Sequence, residues 1–226
     1  MFVWNFQGNL GDGKTFGASV IALYFQTKAR KAGIVTDIYS NYGLRYSKPL
    51  KHYTDFYTVA KSQSSICLLD EAHINLDSRL FARGSNIYMT QFFFYLRKLR
   101  TSLFMTTPHI RNLDSRVRLL TNILVDCHRA GAGFAYDVYD YSGEKLLKRL
   151  FLPPQKAKEL FACKLYDSYG IVRNVQFPAS EREFDKFLDT VVKARNEAFG
   201  DWATESDALY ADLLHEGNPE QVEVIE

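Results

Sequence analysis

Gly8-Asn9-Leu10-Gly11-Asp12-Gly13-Lys14-Thr15 fits the spacing G-x-x-x-x-G-K-[ST], and that spacing decides the fold expected of this chain. Glycines let such a loop turn tightly, so that several backbone N–H groups point at one anion. A helix starting at the lysine adds unpaired N–H donors and the positive end of its dipole. On this reading Lys14 reaches the β- and γ-phosphates of a nucleotide, and the Thr15 hydroxyl faces Mg²⁺.

The flanks agree with the loop. Phe2 to Phe6 is an apolar, aromatic-rich run suited to a buried strand. After Thr15, apolar residues at Phe16, Val20, Ile21, Tyr24 and Phe25 have helical spacing, with Phe16 counted among the nucleotide-binding residues. Gly33 is a helix stop after Lys28, Arg30 and Lys31.

The 226 residues suffice for one α/β domain with a substantial core, read as residues 1–200, followed by an acidic tail over 201–226. No run approaches the ~18–20 apolar residues that span a bilayer, and the opening residues do not read as a signal peptide. Cys67, Cys127 and Cys163 lie far apart in apolar contexts without metal spacing, so they are expected as buried free thiols. The tail holds 8 of the 26 acidic residues and no Lys or Arg. The other 18 acids face all 28 Lys and Arg, so the first 200 residues carry about +10. Such a body suits a polyanion, and a nucleotide-driven protein gives the charge a use.

Strand and helix patterns alternate at first, which predicts a parallel sheet with crossover helices. Gly33–Tyr39, Ser65–Asp70 and Leu103–Thr106 read as strands, residues 40–50 as a loop and Asn86–Arg100 as a helix with Phe92, Phe93, Leu96 and Leu99 inward. The pattern then changes. Asn122–His128, Phe134–Tyr141 and Lys145–Leu152 read as an antiparallel meander at the sheet edge, ended by Pro153-Pro154. Gln155–Ala162 and Ser180–Phe199 read as helices, the second opening on a Ser180-x-x-Glu183 capping box. A short helix over Glu205–His215 is expected within the tail.

Ile66-Cys67-Leu68-Leu69-Asp70-Glu71 is four apolar residues followed by two carboxylates, about 55 residues after Lys14. At the carboxyl end of a buried parallel strand these acids emerge beside the phosphate-binding loop. Asp70 then holds the Mg²⁺ shell and Glu71 polarises the attacking water.

Further elements follow in order: Asp70-Glu71-Ala72-His73, Leu76-Asp77-Ser78-Arg79, Tyr95-Leu96-Arg97-Lys98, Thr106-Thr107-Pro108-His109 and Leu113-Asp114-Ser115-Arg116-Val117-Arg118. Together with the loop they resemble the FtsK–HerA superfamily of DNA-pumping P-loop ATPases. Within it the chain is similar to the genome-packaging ATPases of tailless icosahedral viruses with an internal membrane, and to the N-terminal domain of the Zot family. Leu165-Tyr166-Asp167-Ser168-Tyr169 resembles an element near the end of that domain. The resemblance covers roughly residues 1–170. It implies an α/β P-loop NTPase with a mainly parallel central sheet flanked by helices, an antiparallel β-meander at its edge and a C-terminal helical region. It also implies ATP and Mg²⁺ as cofactors, a homo-oligomeric ring, double-stranded DNA bound without sequence preference, and a place in the host cytoplasm or at a virion packaging vertex, where a capsid or membrane protein is a further partner.

One element departs from the family. Where the superfamily usually carries a Gln that senses the γ-phosphate, this chain reads Thr106-Thr107-Pro108-His109. Thr107 or His109 is the expected substitute, since either can hydrogen-bond phosphate or water. Arg79, Arg97, Arg116 and Arg118 all lie in family-like elements. Each fits a finger reaching a neighbouring subunit's site, a structural ion pair or a DNA phosphate contact. Arg116 and Arg118 rank first, with Asp114 nearby to position them. Two other functions compete with genome packaging: a Zot-like extrusion ATPase for single-stranded phage DNA, and a nucleotide-dependent interaction protein with little turnover. Zot proteins typically carry a membrane helix after the ATPase domain, which is not found in this sequence. A pure binder has no need of Glu71.

Overall fold

β1 (Val3–Gln7) runs into the glycine-rich loop and α1 (Lys14–Lys31) leaves it. The computed structural model describes residues 2–74, 76, 84–172 and 174–200. The other strands are β2 (Thr36–Ser40), β3 (Lys48–Pro49), β4 (Ser64–Leu69), β5 (Thr101–Thr107), β6 (Ile123–Ala130), β7 (Gly133–Asp140) and β8 (Lys145–Leu152). Among the described residues they form one eight-stranded sheet in the order β3-β2-β4-β5-β1-β6-β7-β8. From β3 to β6 neighbouring strands are parallel. β7 and β8 add antiparallel pairs at one edge, as the meander pattern predicts. The order puts β5 between β1 and β4, so the phosphate-binding loop and the Asp-Glu pair flank the tip of one strand.

Two apolar layers cover the sheet. On one face α1 packs over Phe6, Ile66, Leu68 and Phe104. Phe16, Gly17, Ala18, Ser19 and Ala22 face the sheet, while Tyr24 and Phe25 stay half-exposed. Small residues let the helix sit close to strands that already carry large rings. Phe25 meets Trp4 edge-on, with centroids 5.5 Å apart. Gly17 is the tightest approach, because a Cβ there would lie 2.4 Å from Tyr136 Cε1. Gly17→Ala is expected to cost up to about 2 kcal/mol, an overpacking penalty of about 1–3 reduced by about 1 of gained helix propensity. An unchanged urea midpoint would show that the Tyr136 ring yields freely.

On the other face lie α2 (Asp55–Ala60), α3 (Gly84–Phe93), α4 (Ser115–Leu120) and α6 (Glu181–Phe199). Phe56, Phe92, Phe177 and Phe187 pack as a ring cluster there, for example Phe92 and Phe187 at 4.8 Å. The expected helix over Asn86–Arg100 stops at Phe93, and a 3₁₀ turn covers Leu96–Leu99. The tighter turn repeats every three residues, which keeps both Leu96 and Leu99 buried as the chain bends into β5. α2 was not legible in the sequence. Ser180 caps α6 by accepting the Glu183 N–H at 3.4 Å, and the Glu183 carboxylate accepts from Ala179 N–H at 3.3 Å.

α5 (Pro154–Ala162) closes the meander side. Cys67 and Cys127 are buried, and burial pushes both thiols up. Cys163 is exposed, contrary to expectation, because it caps the end of α5 with its thiol on the Glu159 carbonyl. Among the described residues no helix is long and apolar enough to cross a membrane.

Candidate active site

Gly13 caps α1 in the left-handed region, with φ 80°. A Cβ there would also lie 2.6 Å from the Phe134 ring, so conformation and space both call for glycine. The loop is braced from within: Asp12 accepts the Asn9 N–H at 2.7 Å. Arg129, on β6, donates from Nε to the Gly11 carbonyl at 3.2 Å. The Lys14 ammonium folds over the loop onto the Asn9 carbonyl at 3.0 Å. Leu10 stands almost fully exposed at the tip.

Asp70 and Glu71 emerge where β4 ends. Asp70 Oδ1 accepts the Thr15 hydroxyl at 2.7 Å and the Thr106 hydroxyl at 2.6 Å. Thr106 Oγ1 in turn accepts the Glu71 N–H at 3.0 Å, so one hydroxyl positions both acids. The Asn41 side chain clamps the Asp70 backbone, accepting its N–H at 2.8 Å and donating to its carbonyl at 3.1 Å. Glu71 adopts φ 52°, a strained conformation for a residue with a side chain. Its carboxylate lies 3.3 Å from His73 Nδ1. The adjacent Thr15 and Asp70 oxygens are hard donors of the kind Mg²⁺ takes, so the residues fit that ion.

Neither Asn41 nor Thr106 was expected at the site. At the end of β5 it is Thr106, and not Thr107, that reaches Asp70, because successive strand residues face opposite sides of the sheet. Thr106 shares the α1 side with Thr15, whereas Thr107 is buried and donates to the His109 carbonyl at 3.2 Å. His109 turns its ring to the backbone, where Nδ1 accepts the Arg111 N–H at 3.1 Å. Like Thr106, neither residue lines the cavity that holds Lys14 and Asp70.

Arg116 grips Asp114 with both Nε and Nη2, each at 2.9 Å. This fork holds the Asp114 carboxyl below the usual carboxylate range. Asp114 also caps α4 and donates its own N–H to the Leu76 carbonyl at 2.9 Å, so the arginine-bearing segment is tied to the one that follows Glu71. Arg118 sits half-buried on the same helix, and Arg97 is exposed on the 3₁₀ turn. None of the three lines the cavity. Asp77, Ser78, Arg79 and the acidic tail with its expected helix lie outside the described residues.

The cavity measures about 610 Å³ and runs from Lys14, Asp70 and Glu71 to the rings of Phe16, Phe134 and Phe161. Tyr166, Asp167 and Ser168, from the Leu165–Tyr169 element, lie along it. Burial pushes the Tyr166 phenol up to about 12 and raises that of Tyr42, which shares a hydrogen bond with Ser19 at 2.8 Å. Both therefore stay neutral at physiological pH.

No family model and no curated protein matches the chain. Among solved structures it is similar to the N-terminal domain of zonular occludens toxin from Neisseria meningitidis, at 18% identity over 74% of this chain and 98% of that one, with a TM-score of 0.52. It is also similar to the genome packaging NTPase B204 of Sulfolobus turreted icosahedral virus 2 in complex with ATP-gammaS, at 12% identity over 68% of this chain and 97% of that one, with a TM-score of 0.45. The fold is thus similar to that of the zonular occludens toxin domain; in this chain it is a mainly parallel sheet with helices on both faces and an antiparallel edge.

Proposed function

We propose that this chain hydrolyses ATP with Mg²⁺ and uses the energy, as a ring, to move double-stranded DNA into a viral capsid. One observation carries the chemistry: Thr15 and Thr106 converge on a single Asp70 oxygen beside Lys14. In this reading the loop N–H groups and Lys14 hold the β- and γ-phosphates, and Thr15 and Asp70 hold the metal. The metal supplies charge neutralisation on the phosphate oxygens. Lys14 leaves the Asn9 carbonyl for the phosphates, so the loop carries its counter-charge in a resting position. Glu71 orients a water for in-line attack on the γ-phosphorus. The bond from that phosphorus to the bridging oxygen breaks, ADP leaves with that oxygen, and the water's proton passes to Glu71. Thr106 fixes the Glu71 backbone, so the carboxylate swings from His73 to the water about a held pivot.

The DNA part of the proposal rests on the +10 charge of residues 1–200. Phosphate contacts need no base readout. Affinity for a random duplex is expected to fall steeply between 50 and 200 mM salt, by about 10³-fold if six or more phosphates are engaged, and to vary little with sequence. Fluorescence anisotropy over a salt series checks this, and a flat dependence rules out an electrostatic track. A second reading, extrusion of single-stranded DNA, is kept open by the fold shared with the zonular occludens toxin domain. ATPase rates with duplex and with single-stranded DNA decide between them: stimulation by single strands alone favours extrusion, and none by either leaves an NTPase without a DNA motor.

A further inference from the structure

We propose that Phe161 is the platform on which the base of the bound nucleotide stacks. This rests on the nucleotide reading of the same cavity. The phosphate end is polar, but two residues beyond Lys14 the lining becomes aromatic. Phe16 is buried on the first turn of α1, and the Phe161 ring lies flat on it, with centroids 4.3 Å apart and planes within 10°. Phe134 supports both rings, at 5.6 Å from Phe16 and 6.1 Å from Phe161. Two rings from two other elements thus fix the plane of Phe161. That ring is 46% exposed and lines the cavity.

The neighbours suit a base more than a peptide or lipid. The guanidinium of Arg129 lies 5.3 Å from the Phe134 centroid and is tethered to Gly11, which places a cation beside the route from the phosphates to the rings. Arg129 has its Nε engaged by the Gly11 carbonyl, and Asp167 and Ser168 line the same cavity. A flat hydrophobic face favours any base with a π-system, and larger rings more than smaller ones, whatever polar groups meet the base edge.

The test compares ATP, GTP and inorganic tripolyphosphate, which has the phosphates but no base. Binding to the full chain is measured by calorimetry with Mg²⁺. Phe161→Ala is expected to weaken ATP and GTP by a similar factor, about 5- to 150-fold, and to leave tripolyphosphate unchanged. Phe161→Trp should keep ATP affinity. Lys14→Ala should weaken ATP and tripolyphosphate together. Equal loss of ATP and tripolyphosphate in Phe161→Ala overturns the platform, because the ring then only shapes the loop. An unchanged ATP affinity in that variant, or a loss confined to one of the two purines, overturns it too. If the wild-type chain binds none of the three, the nucleotide reading itself fails and takes the platform with it.

Discussion

Glu71→Gln is expected to bind ATP about as tightly as the wild type and to hydrolyse it about 10²-fold more slowly, or worse. The amide keeps the size and hydrogen-bonding reach of the carboxylate but cannot take the water's proton. Nothing that holds the nucleotide is touched. Lys14 and Thr15 lie on α1, Asp70 is held by its own contacts to Thr15, Thr106 and Asn41, and Thr106 meets Glu71 through its backbone N–H, which the substitution preserves. The loss therefore belongs in kcat, with little change in KM. Single-turnover hydrolysis beside equilibrium binding separates the two. A variant that turns over like the wild type would remove Glu71 from the chemistry, and one that fails to bind would show that its carboxylate shapes the site. Thr106→Val gives a graded companion. It removes the hydroxyl shared by Asp70 and Glu71, so binding and turnover should both suffer, with the Asp70 carboxylate losing one of its two donors.

Much of this site was legible because its chemistry is local in sequence. Eight consecutive residues make the loop, and two consecutive residues end a strand. What the sequence did not show depends on which strands are neighbours. Thr106 reaches Asp70 because β5 lies beside β4 and because even-numbered residues of β5 face α1. Without the strand order, Thr106 and Thr107 are equivalent hydroxyls. Asn41 was hidden for the same reason. It follows β2 in an unremarkable loop, and its role comes from the β2–β4 pairing that sets it against the Asp70 backbone. The helix pattern of α1 left its packing side open. Apolar spacing finds a helix, but large rings at Tyr24 and Phe25 do not reveal that Gly17, Ala18 and Ala22 are the close-packed side.

Arg116→Ala is expected to leave nucleotide binding nearly intact while cutting hydrolysis, by up to about 10³-fold if the residue is a finger acting on a neighbouring subunit. Within one chain the guanidinium is clamped by Asp114 and lies off the cavity. That geometry fits a side chain presented outward on a rigid support. The backbone link from Asp114 to Leu76 ties the support to the segment after Glu71. The same contacts fit a purely structural ion pair, and Arg118 is the alternative finger on the same helix. Three measurements separate these roles. A structural pair lost by Arg116→Ala should lower the melting temperature and be relieved in part by Asp114→Asn, whereas a finger should lower turnover without lowering stability. Mixing Arg116→Ala with Glu71→Gln protein should restore activity, because an interface between them can combine an intact Glu71 with an intact Arg116. Specific activity of the wild type should rise with concentration as subunits assemble. Full turnover by a dilute monomer, with no complementation in mixtures of Glu71→Gln with either Arg116→Ala or Arg118→Ala, would leave a self-contained NTPase and remove the shared-site ring from the proposed function.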